Sequence, residues 1–179
     1  MRIISGTAGG RRLRSLGGTT RPMMDRAREG LFSSLGAAVA GSRVLDLFAG
    51  TGSLGLEALS RGAAAAVFVE RDRRALGVLR ANVAAVGLGG EVVASDVGPF
   101  LERPGPAFDL AFVDPPYALS LASVESVLEA LLPHLAGGAV IVLHRRAGED
   151  EVVPPGGVVV VDRRRYGDTE ITRMVKEAT

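Results

Sequence analysis

The chain has 179 residues, a formal net charge of +1, 47% hydrophobic and 23% charged residues, and no cysteine. That length holds one core-forming domain with a short appendage, and the composition excludes whole-chain disorder, a disulfide framework, a thiolate metal site and a cysteine nucleophile. Two histidines, His134 and His144, are too few for a multi-histidine centre, so no metal is expected, and no apolar run is long enough to span a bilayer or act as a secretory leader. The expected compartment is the cytoplasm.

Residues 1–30 hold seven arginines against Asp25 and Glu29, a charge of +5, while the rest of the chain is mildly acidic. A basic arm on an acidic body points to an anionic partner. Arginine suits phosphate because its planar fork donates two parallel hydrogen bonds. Arg11, Arg12, Arg14, Arg21, Arg26 and Arg28 are the candidates for such contacts. Residues 2–5 and 11–13 are expected to form a small β-hairpin turning at Gly9-Gly10. Residues 25–35 read as a helix, with Ala27, Leu31, Phe32 and Leu35 spaced as an apolar stripe. The arm, residues 1–38, is set apart from a main unit of residues 39–179. Removing residues 1–18 is expected to leave the main unit folded.

From residue 43 onward, apolar and β-branched runs recur at 43–48, 65–70, 91–94, 108–113 and 139–144. Helical patterns lie between several of them, at 53–60, 73–86 and 120–132. Strands that alternate with helices and are apolar throughout predict a parallel sheet covered on both faces. Two further strands, 158–163 and 171–176, are separated by too few residues for a helix, so they pair antiparallel. The predicted architecture is α/β. It is a doubly wound, Rossmann-like, seven-stranded sheet with an antiparallel C-terminal hairpin, the layout of the class I methyltransferase fold.

Asp46-Leu47-Phe48-Ala49-Gly50-Thr51-Gly52-Ser53-Leu54-Gly55 ends the first of these strands and opens a helix. Gly50, Gly52 and Gly55 satisfy the dinucleotide fingerprint, and Glu70 ends the next strand where a ribose diol acceptor belongs. A dinucleotide and S-adenosylmethionine both fit that geometry. Asp46 favours the second, because a carboxylate repels a pyrophosphate but attracts the cationic amino acid end of S-adenosylmethionine. Asp96, just past the third strand, is positioned to accept from an adenine amine.

Asp114-Pro115-Pro116-Tyr117 follows the fourth strand, at the edge where parallel sheets build their sites. Two prolines fix φ and remove two amide donors, leaving stiffly held carbonyl acceptors beside the Asp114 carboxylate. Such a set suits a planar amine. Acceptors already in place orient its N–H groups and stabilise positive charge developing on nitrogen. Tyr117 is suited to stack on the base.

These motifs together resemble the class I S-adenosylmethionine-dependent amino methyltransferases. Arg2-Ile3-Ile4-Ser5-Gly6, Gly10-Arg11-Arg12-Leu13, Thr20-Arg21-Pro22, residues 25–32, residues 56–63 and Asn82 are similar to the RsmD family, bacterial small-subunit rRNA guanine-N2 methyltransferases. The resemblance covers essentially the whole chain. It implies methyl transfer to the exocyclic N2 amine of one guanine in 16S rRNA, in the assembled small subunit, by a monomer. It makes residues 1–38 an RNA-binding extension. It implies that Asp46, Gly50 and Gly52 line the methionine end of the cofactor, with Phe48 and Arg71 beside the cofactor. It also implies that Glu70 holds the ribose, Asp96 meets the adenine, and Asp114, Pro115, Pro116 and Tyr117 hold the base. Met23-Met24 departs from the small hydroxyl residues usual in the family, and some members carry phenylalanine in place of Tyr117.

Three other functions share parts of this pattern. A DNA adenine or cytosine amino methyltransferase would use the same tetrapeptide but needs a target-recognition region that 179 residues barely accommodate. A protein glutamine methyltransferase prefers asparagine at position 114 and needs no basic arm. A non-catalytic RNA-binding module would have lost Asp114 or the loop glycines. Arg145, Arg146 and Arg163–Arg165 read either as an extended RNA surface or as solvated strand ends. His134 reads as structural, and His144 ends a strand on the site-bearing edge.

Overall fold

The computed structural model describes residues 1–17 and 25–178. The main sheet is built from β1 (Arg43–Leu47), β2 (Ala65–Glu70), β3 (Glu91–Ala94), β4 (Phe108–Val113), β5 (Leu135–Arg146), β6 (Val158–Tyr166) and β7 (Thr169–Lys176). Its strand order is β3-β2-β1-β4-β5-β7-β6. The first five strands in that order are parallel, and β7 runs antiparallel between β5 and β6. The predicted seven-stranded doubly wound sheet with its antiparallel hairpin is therefore the observed one.

The central strands are mainly apolar because each strand buries both faces. Val44, Leu110, Phe112 and Val142 point into one core with α1 (Asp25–Leu35), α2 (Ser53–Ser60) and α3 (Arg73–Val86). Leu45, Leu47, Ala111, Val113, Ile141 and Leu143 point into the other, with α4 (Val97–Leu101) and α5 (Leu121–Leu131). Asp72 caps α3 by accepting from the Ala75 N–H at 2.8 Å, and Gly87 ends it in the left-handed region at φ 68°.

The expected N-terminal hairpin reduces to a single antiparallel bridge between Arg2 and Arg12, reinforced by Ile3 N–H to the Arg11 carbonyl at 2.9 Å. Its stability comes from packing. Ile3, Ala8 and Leu13 are buried in the same core as Phe32 and Phe68. Glu57 of α2 is fully buried and accepts from the amides of Ile4 (2.7 Å) and Ser5 (3.1 Å) and from Arg61 Nε (2.7 Å). Asn82 of α3 accepts from the Arg14 amide at 2.8 Å and donates back to its carbonyl at 3.1 Å. Gly6 lies so close that a Cβ would fall 1.8 Å from the Ser60 carbonyl oxygen. Residues 1–17 are thus packed as a layer over α2 and α3, and these contacts bear against the expectation that the main unit stays folded without the segment.

Candidate active site

β1 and β4 are neighbours with β2-β3 on one side and β5 on the other. Their exits turn to opposite faces of the sheet, into α2 and toward α5, the topology at whose carboxyl edge open parallel sheets form their ligand crevice. Asp46 near the end of β1, Glu70 at the end of β2 and Asp114 just past β4 converge on it. The Asp114 amide donates to the Leu47 carbonyl at 3.4 Å, tying the β4 exit to β1.

The glycine loop is shaped by two demands. Phe48 has φ 57°, the one positive value at a non-glycine residue among the described residues, and Gly50 and Gly52 follow at 56° and 80°. A bulky side chain in that region costs on the order of 1 kcal/mol or more, and such strain clusters at binding sites. A Cβ on Gly52 would sit 2.5 Å from Leu79 Cδ1, and one on Gly55 would sit 2.4 Å from Phe68 Cε1. Those two glycines let α2 pack tightly. At Gly50 the Cβ direction meets only the Phe48 carbonyl oxygen, at 3.9 Å, so that side of the loop is open.

Asp46 is buried, and its Oδ2 accepts from the Gly55 N–H at 2.9 Å. Burial pushes its carboxyl well above the usual carboxylate range. The Gly55 N–H opposes that shift, and the negative charges of Asp114 and Glu70 add to it. Glu70 has a role that the sequence reading missed. Its Oε2 accepts from the Gly50 amide at 2.8 Å, and its Oε1 accepts from the amides of Arg71 (2.8 Å) and Asp72 (2.7 Å). It therefore pins the glycine loop to the end of β2. Arg71 Nη1 donates to Asp96 Oδ1 at 2.9 Å, and both side chains are exposed. A cavity of about 620 Å³ opens beside this pair, lined by Arg71, Arg73, Leu76, Arg80, Ser95 and Asp96.

Asp114 Oδ1 lies 2.5 Å from Nδ1 of His144, which is 4% exposed. Tyr117 is 40% exposed. Its ring meets His144 edge-on at 5.9 Å and 69°, and the Arg146 guanidinium lies over it, 5.1 Å from the centroid. His144 is thus drawn into the tetrapeptide cluster. Its one sequence signal was its position at a strand end on this edge. His134 is structural, with Nε2 2.8 Å from the Leu101 carbonyl and its ring stacked on Phe100.

The basic arm divides. Arg28 is corrected as a phosphate ligand: it is fully buried, and its Nη2 donates to the Arg2 carbonyl and to Asp25 Oδ1. Burial lowers its pKa, partly offset by Asp25 and Glu57. Arg11 spends Nη1 on the carbonyls of Ala85 and Val86, capping the C-terminus of α3. Arg12, Arg14 and Arg26 are exposed, and Arg21 lies outside the described residues. Farther along the chain, Arg145, Arg163 and Arg164 pair with Glu149, Glu151 and Asp162.

Residues 1–175 match the family model described as conserved hypothetical protein 95. The chain is 40% identical over 138 residues to putative rRNA methyltransferase YlbH of Bacillus subtilis, covering 74% of this chain and 72% of that one. It is 43% identical over 125 residues to ribosomal RNA small subunit methyltransferase D of Escherichia coli K12, covering 68% and 62%. The chain belongs to this RsmD family. The alignment spans less than two thirds of the Escherichia coli relative, 62% of its length. A solved structure of the putative methyltransferase yhhF from Escherichia coli superposes with a TM-score of 0.89 at 34% identity, covering 100% of this chain and 99% of that one. A putative methylase from Haemophilus influenzae gives 0.81 at 31% identity, covering 98% of each. The RsmD fold thus accounts for the chain from its N-terminal layer to the C-terminal hairpin.

Proposed function

We propose that this chain is an S-adenosylmethionine-dependent rRNA methyltransferase that methylates the exocyclic N2 amine of a guanine in 16S rRNA. The observation that carries the reading is the meeting, at one crevice of an RsmD-family fold, of a buried acidic cofactor wall and the Asp114–Tyr117 acceptor set. The Bacillus and Escherichia relatives, named as rRNA methyltransferases, support rRNA as the substrate class.

The residues present fit S-adenosylmethionine. The carboxylates of Glu70 and Asp114 give the crevice negative charge, matching a ligand whose sulfonium and ammonium outweigh its carboxylate. A cation beside the buried Asp46 would favour its ionised form, which burial alone disfavours, and the open side of Gly50 gives the ligand room. Glu70 offers its remaining lone pairs to the ribose, with Phe48 and Gly52 shaping the wall and Arg71 and Asp96 at the adenine end. When bound, the cofactor supplies an electrophilic methyl carbon on a sulfonium. Asp114 and the Pro115 carbonyl accept from the amine N–H groups and hold the nitrogen lone pair in line. Pro116 stiffens that acceptor turn, and Tyr117 stacks on the base. Asp114 would also receive the proton that nitrogen loses once the methyl carbon has passed to it from sulfur, which leaves as a neutral thioether. Arg12, Arg14 and Arg26 are the arm's phosphate contacts, and the protein acts as a cytoplasmic monomer on the small subunit.

Radiolabelled methyl transfer to small subunits, naked 16S rRNA, duplex DNA and protein tests this reading. Label is expected in the RNA of the small subunit, as N2-methylguanosine after nuclease digestion. Label confined to DNA or protein would overturn it. Replacing Arg12, Arg14 and Arg26 with glutamine should shallow the log–log salt slope of RNA binding by up to about 3 units.

A further inference from the structure

His144 ends up between three elements of the site. It lies near the end of β5, pairs with Ile171 of β7 in the sheet, and is 4% exposed. Its Nδ1 is 2.5 Å from Asp114 Oδ1, and its Nε2 is 3.4 Å from Thr169 Oγ1 and 3.5 Å from the Tyr117 hydroxyl. The strand residues before it, Ile141, Val142 and Leu143, are all apolar and buried. An imidazole in that setting carries a desolvation cost that an apolar side chain would avoid, and both ring nitrogens are directed to polar partners.

The short contact assigns the hydrogen. A nitrogen lone pair facing a carboxylate oxygen at 2.5 Å would be repulsive, so Nδ1 carries the proton and Oδ1 accepts it. Nε2 then faces the hydroxyls of Thr169 and Tyr117. Asp114 Oδ2 has no hydrogen-bond partner among the described residues, and the Asp114 side chain keeps 34% of its surface exposed. One oxygen of the carboxylate is tied inward, and the other is left for a ligand.

Resting on the methyltransferase reading above, the geometry points to His144 as the positioning residue of the reaction. Its Nδ1–H locks the carboxylate of Asp114 so that Oδ2 is the oxygen offered to the acceptor amine. The terminal torsion of an aspartate is broad and roughly two-fold, so an untethered carboxylate samples orientations in which neither oxygen is aligned. Fixing that torsion before the substrate arrives removes an ordering cost from the chemical step. Thr169, the first residue of β7, makes the C-terminal hairpin part of the same arrangement, because its hydroxyl steadies the far side of the ring.

Two measurements test the assignment. The chain has only two histidines, so nitrogen-15 long-range spectra of the unliganded protein resolve the His144 ring readily. The Nδ1–H form is expected in the wild type, with its signal shifted in Asp114→Asn; an Nε2–H tautomer overturns the assignment. Kinetics supply the second. His144→Leu should lower kcat about tenfold with KM for S-adenosylmethionine and the melting temperature little changed, because an apolar side chain suits the pocket but donates nothing. His144→Asn sets an amide nitrogen close to the Nδ1 position and should recover most of that loss. Wild-type kcat in His144→Leu, or equal losses in the leucine and asparagine variants, overturns the positioning role. A wild-type protein that methylates nothing would sink the proposed function, while the imidazole signal still decides the hydrogen bond.

Discussion

The crevice at the ends of β1, β2 and β4 and the N-terminal layer over α2 and α3 both stand out in sequence by their charge, yet they use it in opposite ways. In the crevice, Asp114 keeps one oxygen free of protein partners among the described residues, and Asp46 is buried against the repulsion of its acidic neighbours. Those charges are held at a cost and are available to a ligand. In the N-terminal layer, Arg28 Nη2, Arg11 Nη1 and Glu57 are spent on backbone groups across 26 to 75 residues of chain, while Arg28 Nε and Nη1 stay buried without a partner. A charge count in sequence therefore overstates the charge that the arm presents to a phosphate, and the partners that each group finds decide what remains.

The strongest test of that contrast is removal of residues 1–17. If the segment is structural, its loss exposes the core beneath Ile3, Ala8 and Leu13 and strips Glu57 of two amide donors. Each hydrogen bond to a charged group is worth about 1.5–3 kcal/mol and each large apolar side chain kept from water about 1.5–3 kcal/mol, against a total stability of about 5–15 kcal/mol. The truncated protein is expected to lose cooperative thermal unfolding, and with it cofactor binding as read by calorimetry. A truncation that binds S-adenosylmethionine like the intact protein would restore the arm as an independent appendage.

Asp114→Ala probes the other region and should behave differently. The side chain meets the amine rather than the cofactor, so turnover should fall roughly a hundredfold, about 3 kcal/mol in the barrier, with cofactor affinity within a few fold. The variant also leaves the buried Nδ1–H of His144 without its acceptor, at a cost of about 1–3 kcal/mol, so the melting temperature should fall by a few degrees while unfolding stays cooperative. A variant with near-normal kcat at saturating substrate would remove Asp114 from the chemistry.

What the sequence made legible follows the same division. β2, β3 and β4 and the helices α1 to α3 were read at their observed bounds because each combines a clean apolar pattern with a turn or cap residue. Asp46, Glu70 and Asp114 were legible because the ends of parallel strands are where such sheets bind ligands. The five-residue α4 was missed, being too short to show a helical period. β5 begins at Leu135 rather than 139, its pairing with β4 shifting register between Phe108 and Leu110 so that Gly137-Gly138 stays within the strand. The burial of Arg28 and the His144–Asp114 contact were not legible, since each depends on a partner 26 or 30 residues away.

The subtlest test concerns Asp46, where the two uses of charge oppose each other within one residue. Its carboxyl is raised in the folded protein, chiefly by burial and then by the charges of Asp114 and Glu70, against the Gly55 N–H. Unfolded, it titrates near about 3.9. A raised folded value means that ionisation is easier in the unfolded chain. The penalty on folding is therefore absent below the unfolded value, grows as pH rises from there toward the folded value, and stays constant above it. Asp46→Asn keeps a carbonyl for the Gly55 N–H and removes the ionisable group. The unliganded variant should gain stability over wild type at pH 7.5, and that gain should shrink as the pH is lowered to 4.5, read as the difference in melting temperature by calorimetry. Its affinity for S-adenosylmethionine should fall at pH 7.5, because an asparagine cannot take up the negative charge that the cationic end of the ligand favours at this position. A stability difference that is the same at both pH values would show that the crevice bears no electrostatic strain at Asp46, and the contrast with the N-terminal layer would rest on Asp114 alone.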